Sequence, residues 1–84
     1  MDERALRTLV DAAAIRRTRI VGRGEAFHVE VDSPGRSFTI ETAKGGLRTW
    51  RSLDAVAKWL RSVGIAEAQV NVAQWAPGQK GLPL

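Results

Sequence analysis

Few residues in this chain could carry acid–base or metal chemistry. There is one histidine, His28, and no cysteine. Thiolate nucleophiles, thiolate metal sites and disulfides are therefore excluded. A histidine acting alone needs a nucleophile or carboxylate within hydrogen-bond reach. His28 lies in the run Phe27-His28-Val29-Glu30-Val31, where apolar and polar residues alternate strictly. That alternation predicts a strand with His28 and Glu30 on its outer face, and His28 as an ordinary surface histidine. Glu30 and Glu41 share its side, but no catalytic constellation follows, and scattered carboxylates make no metal site. The run Gly22-Arg23-Gly24 falls between two strands and lacks the spacing and the following helix of a dinucleotide fingerprint. It reads as a hairpin turn. The chain is accordingly read as a non-enzyme, with no catalytic, metal or cofactor site.

The remaining chemistry is basic and aromatic. The formal charge is +4, from 13 basic and 9 acidic residues, and ten of the basic residues are arginines. Arginine forks to phosphate and carboxylate in a way lysine cannot. Arg16, Arg17, Arg19 and Arg23 gather around the first predicted strand and its turn. Lys44, Arg48 and Arg51 gather around a later turn and a helix start. Brought together, these residues would form a contact surface for nucleic-acid phosphates, with salt-sensitive and sequence-independent binding. Asp32, Glu25 and Glu30 lie among them, no helix-turn-helix, RNP or zinc motif is present, and a solvated basic face is the commoner outcome. Trp50, just before a helix cap, is placed to pack back on the first turns. Exposed, it would instead stack on bases or anchor a protein interface.

The elements that position these residues follow from periodicity. The first thirteen residues carry Leu6, Leu9, Val10 and Ala13 at helical spacing, with Asp2 as cap and Glu3 at the positive end of the dipole. The period then shifts to two in Thr18–Gly22, Phe27–Val31 and Ser37–Thr42, separated by the turn signals Gly22–Glu25 and Asp32–Gly35. A third turn, Ala43–Gly46, precedes Leu47–Arg51, a candidate extra strand. Ser52 caps a second helix, on which Leu53, Val56, Ala57, Leu60 and Val63 fall on one side and Trp59 at the stripe's edge. Gly64 and Ile65 fit a Schellman stop. Val70 and Val72, set inward, alternate with Gln69 and Asn71 in a last strand.

The expected fold is α+β in two layers, a three- to five-stranded, mainly antiparallel sheet packed by two helices in the order α-β-β-β-(β)-α-β. Residues 1–75 form the single domain, and 76–84 read as a flexible tail. At 84 residues the core is thin, so each tryptophan is drawn toward structure. The early acidic residues and the lack of a ~20-residue apolar span predict a soluble, cytoplasmic protein without membrane contact. Leu47–Arg51 or the last strand would leave an open edge, so a monomer or weak homodimer is expected.

Taken together, Ala14-Ile15-Arg16, the hairpin Gly22 to Val29, the helix entry Arg48-Thr49-Trp50-Arg51-Ser52-Leu53-Asp54, the helix end Leu60 to Ile65, and the strand Val70 to Pro77 resemble the small ParC-type partition-associated proteins of bacterial plasmids and integrative elements. The resemblance covers nearly the whole chain apart from the tail. It departs at Ala68, where the family's last strand usually has an aromatic, and at Asn71. It implies an accessory of a partition or maintenance module of mobile DNA, whose partner is a protein of that system. It carries over no catalytic or ligand residue. Its densest shared feature, Arg48, Trp50 and Arg51, is the best candidate contact surface; nucleic acid is the alternative partner.

Overall fold

The structure is a computed structural model and describes residues 1–76. The tail expected from residue 76 onward lies, except for Ala76, outside the described residues. The elements run α1 (Glu3–Asp11), β1 (Arg17–Gly24), β2 (Ala26–Ser33), β3 (Arg36–Thr39), α2 (Leu53–Val63) and β4 (Gln69–Trp75). They form the expected two-layer α+β arrangement, with one four-stranded sheet in the order β3-β2-β1-β4.

Local chemistry sets the ends of both helices. Asp2 accepts from Ala5 N–H at 3.0 Å, and Ser52 accepts from Ala55 N–H at 3.1 Å. Gly64 stops α2 at φ 96°, while Ile65 N–H donates to Leu60 O at 3.0 Å, the expected Schellman pattern. A Cβ on Gly64 would stand 3.1 Å from Val10 Cγ1, so its absence lets α1 lie close to the end of α2. The end of α1 repeats the pattern without a glycine. Ala14 N–H donates to Leu9 O and Ala13 N–H to Val10 O, both at 2.9 Å, with Ala13 held at φ 55°. An L-residue with a Cβ is strained there. Ala13→Gly is expected to stabilise the fold by about 1 kcal/mol, raising Tm by about 4–8 °C in a domain of this size. A thermal melt showing no rise would contradict it.

β1 and β2 form an antiparallel hairpin with Arg23 opposite Ala26, and Gly24 takes φ 60° in its two-residue turn. β2 and β3 are joined through Pro34 and Gly35, with Ser33 opposite Arg36. The alternation in β2 is realised: Phe27, Val29 and Val31 are buried, and join Ile20 of β1, Leu6 of α1 and Val56, Trp59, Leu60 and Val63 of α2 in one core.

Three expectations are corrected. Leu47–Arg51 forms no strand. Only single bridges join Glu41 to Leu47 and Phe27 to Trp50, because Trp50 turns toward α2 instead of continuing along the sheet. The stripe on α2 is rotated: Trp59 is buried at 8% exposure, whereas Leu53 is 40% exposed and Ala57 is exposed. Val70 and Val72 are not inward-buried but 46% and 48% exposed. β4 pairs with β1 in parallel at the sheet edge, and none of its residues joins the core, whose helical cover lies over β1 and β2. Only Trp75 packs inward, against Phe27 at 5.2 Å, over Gly22, whose missing Cβ would lie 2.8 Å from Trp75 Cβ. Among the described residues no helix is long and apolar enough to cross a membrane.

Candidate contact surface

The eight predicted contact residues do not form one patch. Arg48 and Trp50 are half-buried and belong to an internal cluster. The Arg48 guanidinium stands 5.0 Å from the Trp50 ring and 5.0 Å from the Trp59 ring. The two indoles pack at 4.8 Å with a 44° tilt. Arg48 Nη1 donates to Glu3 Oε1 at 3.0 Å, and Trp59 Nε1 donates to the same oxygen at 2.9 Å. Arg7 Nε donates to Glu3 Oε2 at 3.0 Å, and Arg7 Nη1 to Ser62 O at 3.2 Å, joining α1 to α2. The Trp59 hydrogen bond, followed by those from Arg7 and Arg48, holds the Glu3 carboxyl down at about 2. The cation–π contacts and bonds to one carboxylate make this a clamp between helix and sheet, with its basic charge spent internally.

Arg19 is also committed. It lies on the outer face of β1 and forks onto Asp32, with Nη2 at 3.0 Å from Oδ1, while its Nε reaches Glu30 at 3.3 Å. Ser37 donates to Asp32 at 2.7 Å. The Arg19 fork and the Ser37 bond lower the Asp32 carboxyl to about 2. The pKa of Glu30 is also lowered, mainly by its bond to His28 and further by Arg19, against the opposing effect of burial. His28 is not the surface histidine expected. Its Nε2 lies 3.0 Å from Glu30 Oε2, and the residue is only 8% exposed. Pairing to a carboxylate that Arg19 anchors folds the ring down along the sheet.

Arg16, Arg17, Arg23, Lys44 and Arg51 are exposed and form no ion pair among the described residues. They are dispersed. Arg16 and Arg17 sit at the start of β1, where both helices end, and border a cavity of about 290 Å³ with Val10, Ile15 and Ile65. Arg23 sits at the far end of the same strand, some 20 Å away at ~3.3 Å per residue. Arg51 follows the Trp50 bridge to Phe27 near that end, and Lys44 occupies the turn after Glu41. Sequence reasoning treated Glu3 only as a dipole partner. Its bonded partners Arg48 and Trp59 are 45 and 56 residues away, so no local spacing could reveal its role. Among the described residues no group of three or more His, Cys, Asp or Glu is arranged to hold a metal ion.

Among the described residues the exposed large apolar side chains are Leu47, Leu53 of α2 and Val70, Val72 and Trp75 of β4. Uncovered apolar side chains on a strand edge are what a protein contact covers. The arrangement is therefore that of a small two-layer α+β domain with a structural clamp inside and an unfinished sheet edge outside. A family model described as ParC-like matches residues 1–79, and the chain belongs to that family. No curated protein and no solved structure matches the chain.

Proposed function

We propose that this ParC-like protein is a non-catalytic accessory of a partition or maintenance module of a mobile DNA element, acting in the cytoplasm through contacts with a protein of that module. The observation that carries the reading is the family match over residues 1–79. The exposed Val70 and Val72 of β4 and Leu53 of α2 support a contact role, since none of the three joins the core. The test is retention of the parent element. Deleting the coding sequence is expected to raise the frequency of loss without selection. The wild-type chain and the His28→Ala variant should both restore retention. Unchanged retention on deletion would overturn the proposal, and failure of His28→Ala alone, with its fold intact, would reopen an acid–base role.

A second reading, direct nucleic-acid binding, is favoured by Arg16, Arg17, Arg23, Lys44 and Arg51, which are exposed and form no ion pair among the described residues. Their dispersal over both ends of the sheet supports backbone contacts without base readout. Mobility shifts at low salt with duplex and single strands decide it, and no shift at micromolar protein removes it.

A further inference from the structure

Among the described residues two polar side chains are buried, His28 and Thr18. His28 is bonded to Glu30. Thr18 is 4% exposed, as deeply set as Ile20. It lies on the helix-facing side of β1, in step with Ile20 and opposite Val31. Its hydroxyl takes part in no side-chain hydrogen bond among the described residues. A buried hydroxyl without a partner is costly, so each such group calls for one. The oxygen is not sealed in, because no side-chain polar atom among the described residues is both fully enclosed and unbonded. What Thr18 lines is the cavity of about 290 Å³ where both helices end beside the start of β1.

The lining has an apolar wall and charges of both signs. Val10, Ile15 and Ile65 form the wall. Arg16 and Arg17 border the cavity, and so does Glu67. Arg17 stands opposite Asp32 across the hairpin and adds to the lowering of that carboxyl, so its charge is answered within the fold. Arg16 and Glu67 are exposed, and neither forms an ion pair among the described residues. Arg16 N–H donates to Asp32 O at 2.7 Å, which fixes the backbone from which its side chain starts. Arg61 borders only the neighbouring groove, with Ile20, Ala57 and Leu60. Ala13 and Gly64, at the ends of α1 and α2, complete the wall, and helix C-termini carry partial negative charge that favours a cation. The volume is at the lower end of small-molecule sites, ~300 Å³, which suits a ligand of few heavy atoms.

We infer that this cavity binds a small aliphatic α-amino acid as its zwitterion. Its carboxylate meets the Arg16 guanidinium and accepts from the Thr18 hydroxyl. Its ammonium lies toward Glu67 and the helix ends, and its branched side chain lies against Val10, Ile15 and Ile65. An anion alone would oppose Glu67 and the helix ends, and a cation alone would oppose Arg16. A zwitterion answers both signs at once, and its aliphatic chain covers the apolar wall. The inference stands apart from the partition reading and adds a ligand class to it.

Free leucine titrated into the purified chain, followed in a methyl carbon–proton correlation spectrum, tests this. The expected result is saturable shifts of the Val10, Ile15, Thr18 and Ile65 methyl signals, with a Kd of about 0.1–1 mM. Isovalerate lacks the ammonium and isoamylamine lacks the carboxylate, and each should bind at least about tenfold more weakly. Thr18→Val keeps the shape of the side chain and removes its hydroxyl. It should melt no lower than wild type, and should weaken leucine binding about tenfold. Arg16→Gln, at an exposed position, should weaken it by a similar factor with the fold unchanged. No saturable shift with leucine up to about 20 mM, well above that range, would overturn the proposal. So would equal leucine affinity in wild type and both variants, since the ligand would then lie elsewhere. Isovalerate binding as tightly as leucine would overturn the zwitterion. A lower melting temperature for Thr18→Val would show the hydroxyl bonded within the fold and overturn its place in the site. These readouts use purified protein, so they succeed or fail independently of element retention.

Discussion

Trp59→Ala is expected to leave the domain largely unfolded at room temperature, with a loss of about 3–5 kcal/mol. Trp59 is 8% exposed and is the largest side chain of the buried core. Its removal opens a cavity under α2, ends the 4.8 Å packing on Trp50, and takes away one of the two rings that the Arg48 guanidinium lies against. It also strips the indole donor from Glu3. Small domains have only ~5–15 kcal/mol of stability, and one this short has a thin core. The check is urea denaturation followed by far-ultraviolet circular dichroism, since tryptophan fluorescence is itself changed by the substitution. Trp50→Ala, at a half-buried site, should cost roughly half as much. A loss below about 1 kcal/mol for Trp59→Ala would mean the ring is a cover on the sheet and not the centre of its packing.

What was legible in the sequence was local. Ser52, Gly64 and Ile65 announced the start and stop of α2 because caps are satisfied by neighbours within one turn. Phe27, Val29 and Val31 announced the inner face of β2 because the strand period is fixed. The rotation of α2 about its own axis was not legible. Trp59 sits inside the stripe because Trp50 and Glu3 receive it, and no helical wheel contains those partners. Val70 and Val72 alternate as an inner face should, but whether that face is covered depends on where the helices lie, and they lie over β1 and β2. The arginines show the same limit. Sequence marks Arg19, Arg23 and Arg48 alike, whereas the fold commits Arg19 to Asp32 and Arg48 to Glu3 and gives Arg23 no ion pair among the described residues. Of the Arg48, Trp50 and Arg51 feature, two residues build the inside and only Arg51 is exposed. The density of the motif was real, and its purpose is largely the clamp.

Glu3→Ala should be the next most damaging change, at about 2–3 kcal/mol near neutral pH. The carboxylate takes bonds from Trp59, Arg48 and Arg7, two of them from charged donors. A hydrogen bond to a charged group is worth ~1.5–3 kcal/mol, and a nearly buried indole N–H left without an acceptor adds its own cost. Partial exposure of Glu3 and Arg48 holds the sum below that of three separate bonds. The same contacts set a pH dependence. The Glu3 carboxyl is lowered from 4.5 to about 2 in the fold, because its partners favour the charged form. Above 4.5 both folded and unfolded chains carry the charge, and the stabilisation is fully present. As pH falls from 4.5 toward about 2 the unfolded chain takes up the proton first, so the stabilisation drains away. Asp32 shifts in the same direction, from 3.8 to about 2, through the Arg19 fork and Ser37. Wild type should therefore lose stability steadily on acidification below 4.5. Glu3→Ala, already weakened at neutral pH, should show a shallower decline, carried by Glu30 and Asp32, whose carboxyls are also lowered in the fold. Glu3→Gln separates the two parts of the effect: its amide oxygen still accepts from Trp59, but it offers no charge to Arg48 or Arg7. It should fall between wild type and alanine at neutral pH and match alanine in its acid slope. Urea midpoints for the three chains across the acid range decide this. An acid slope in Glu3→Gln as steep as wild type would mean the proton that matters is not on Glu3, and the clamp would then be held by packing of the two indoles and the guanidinium alone.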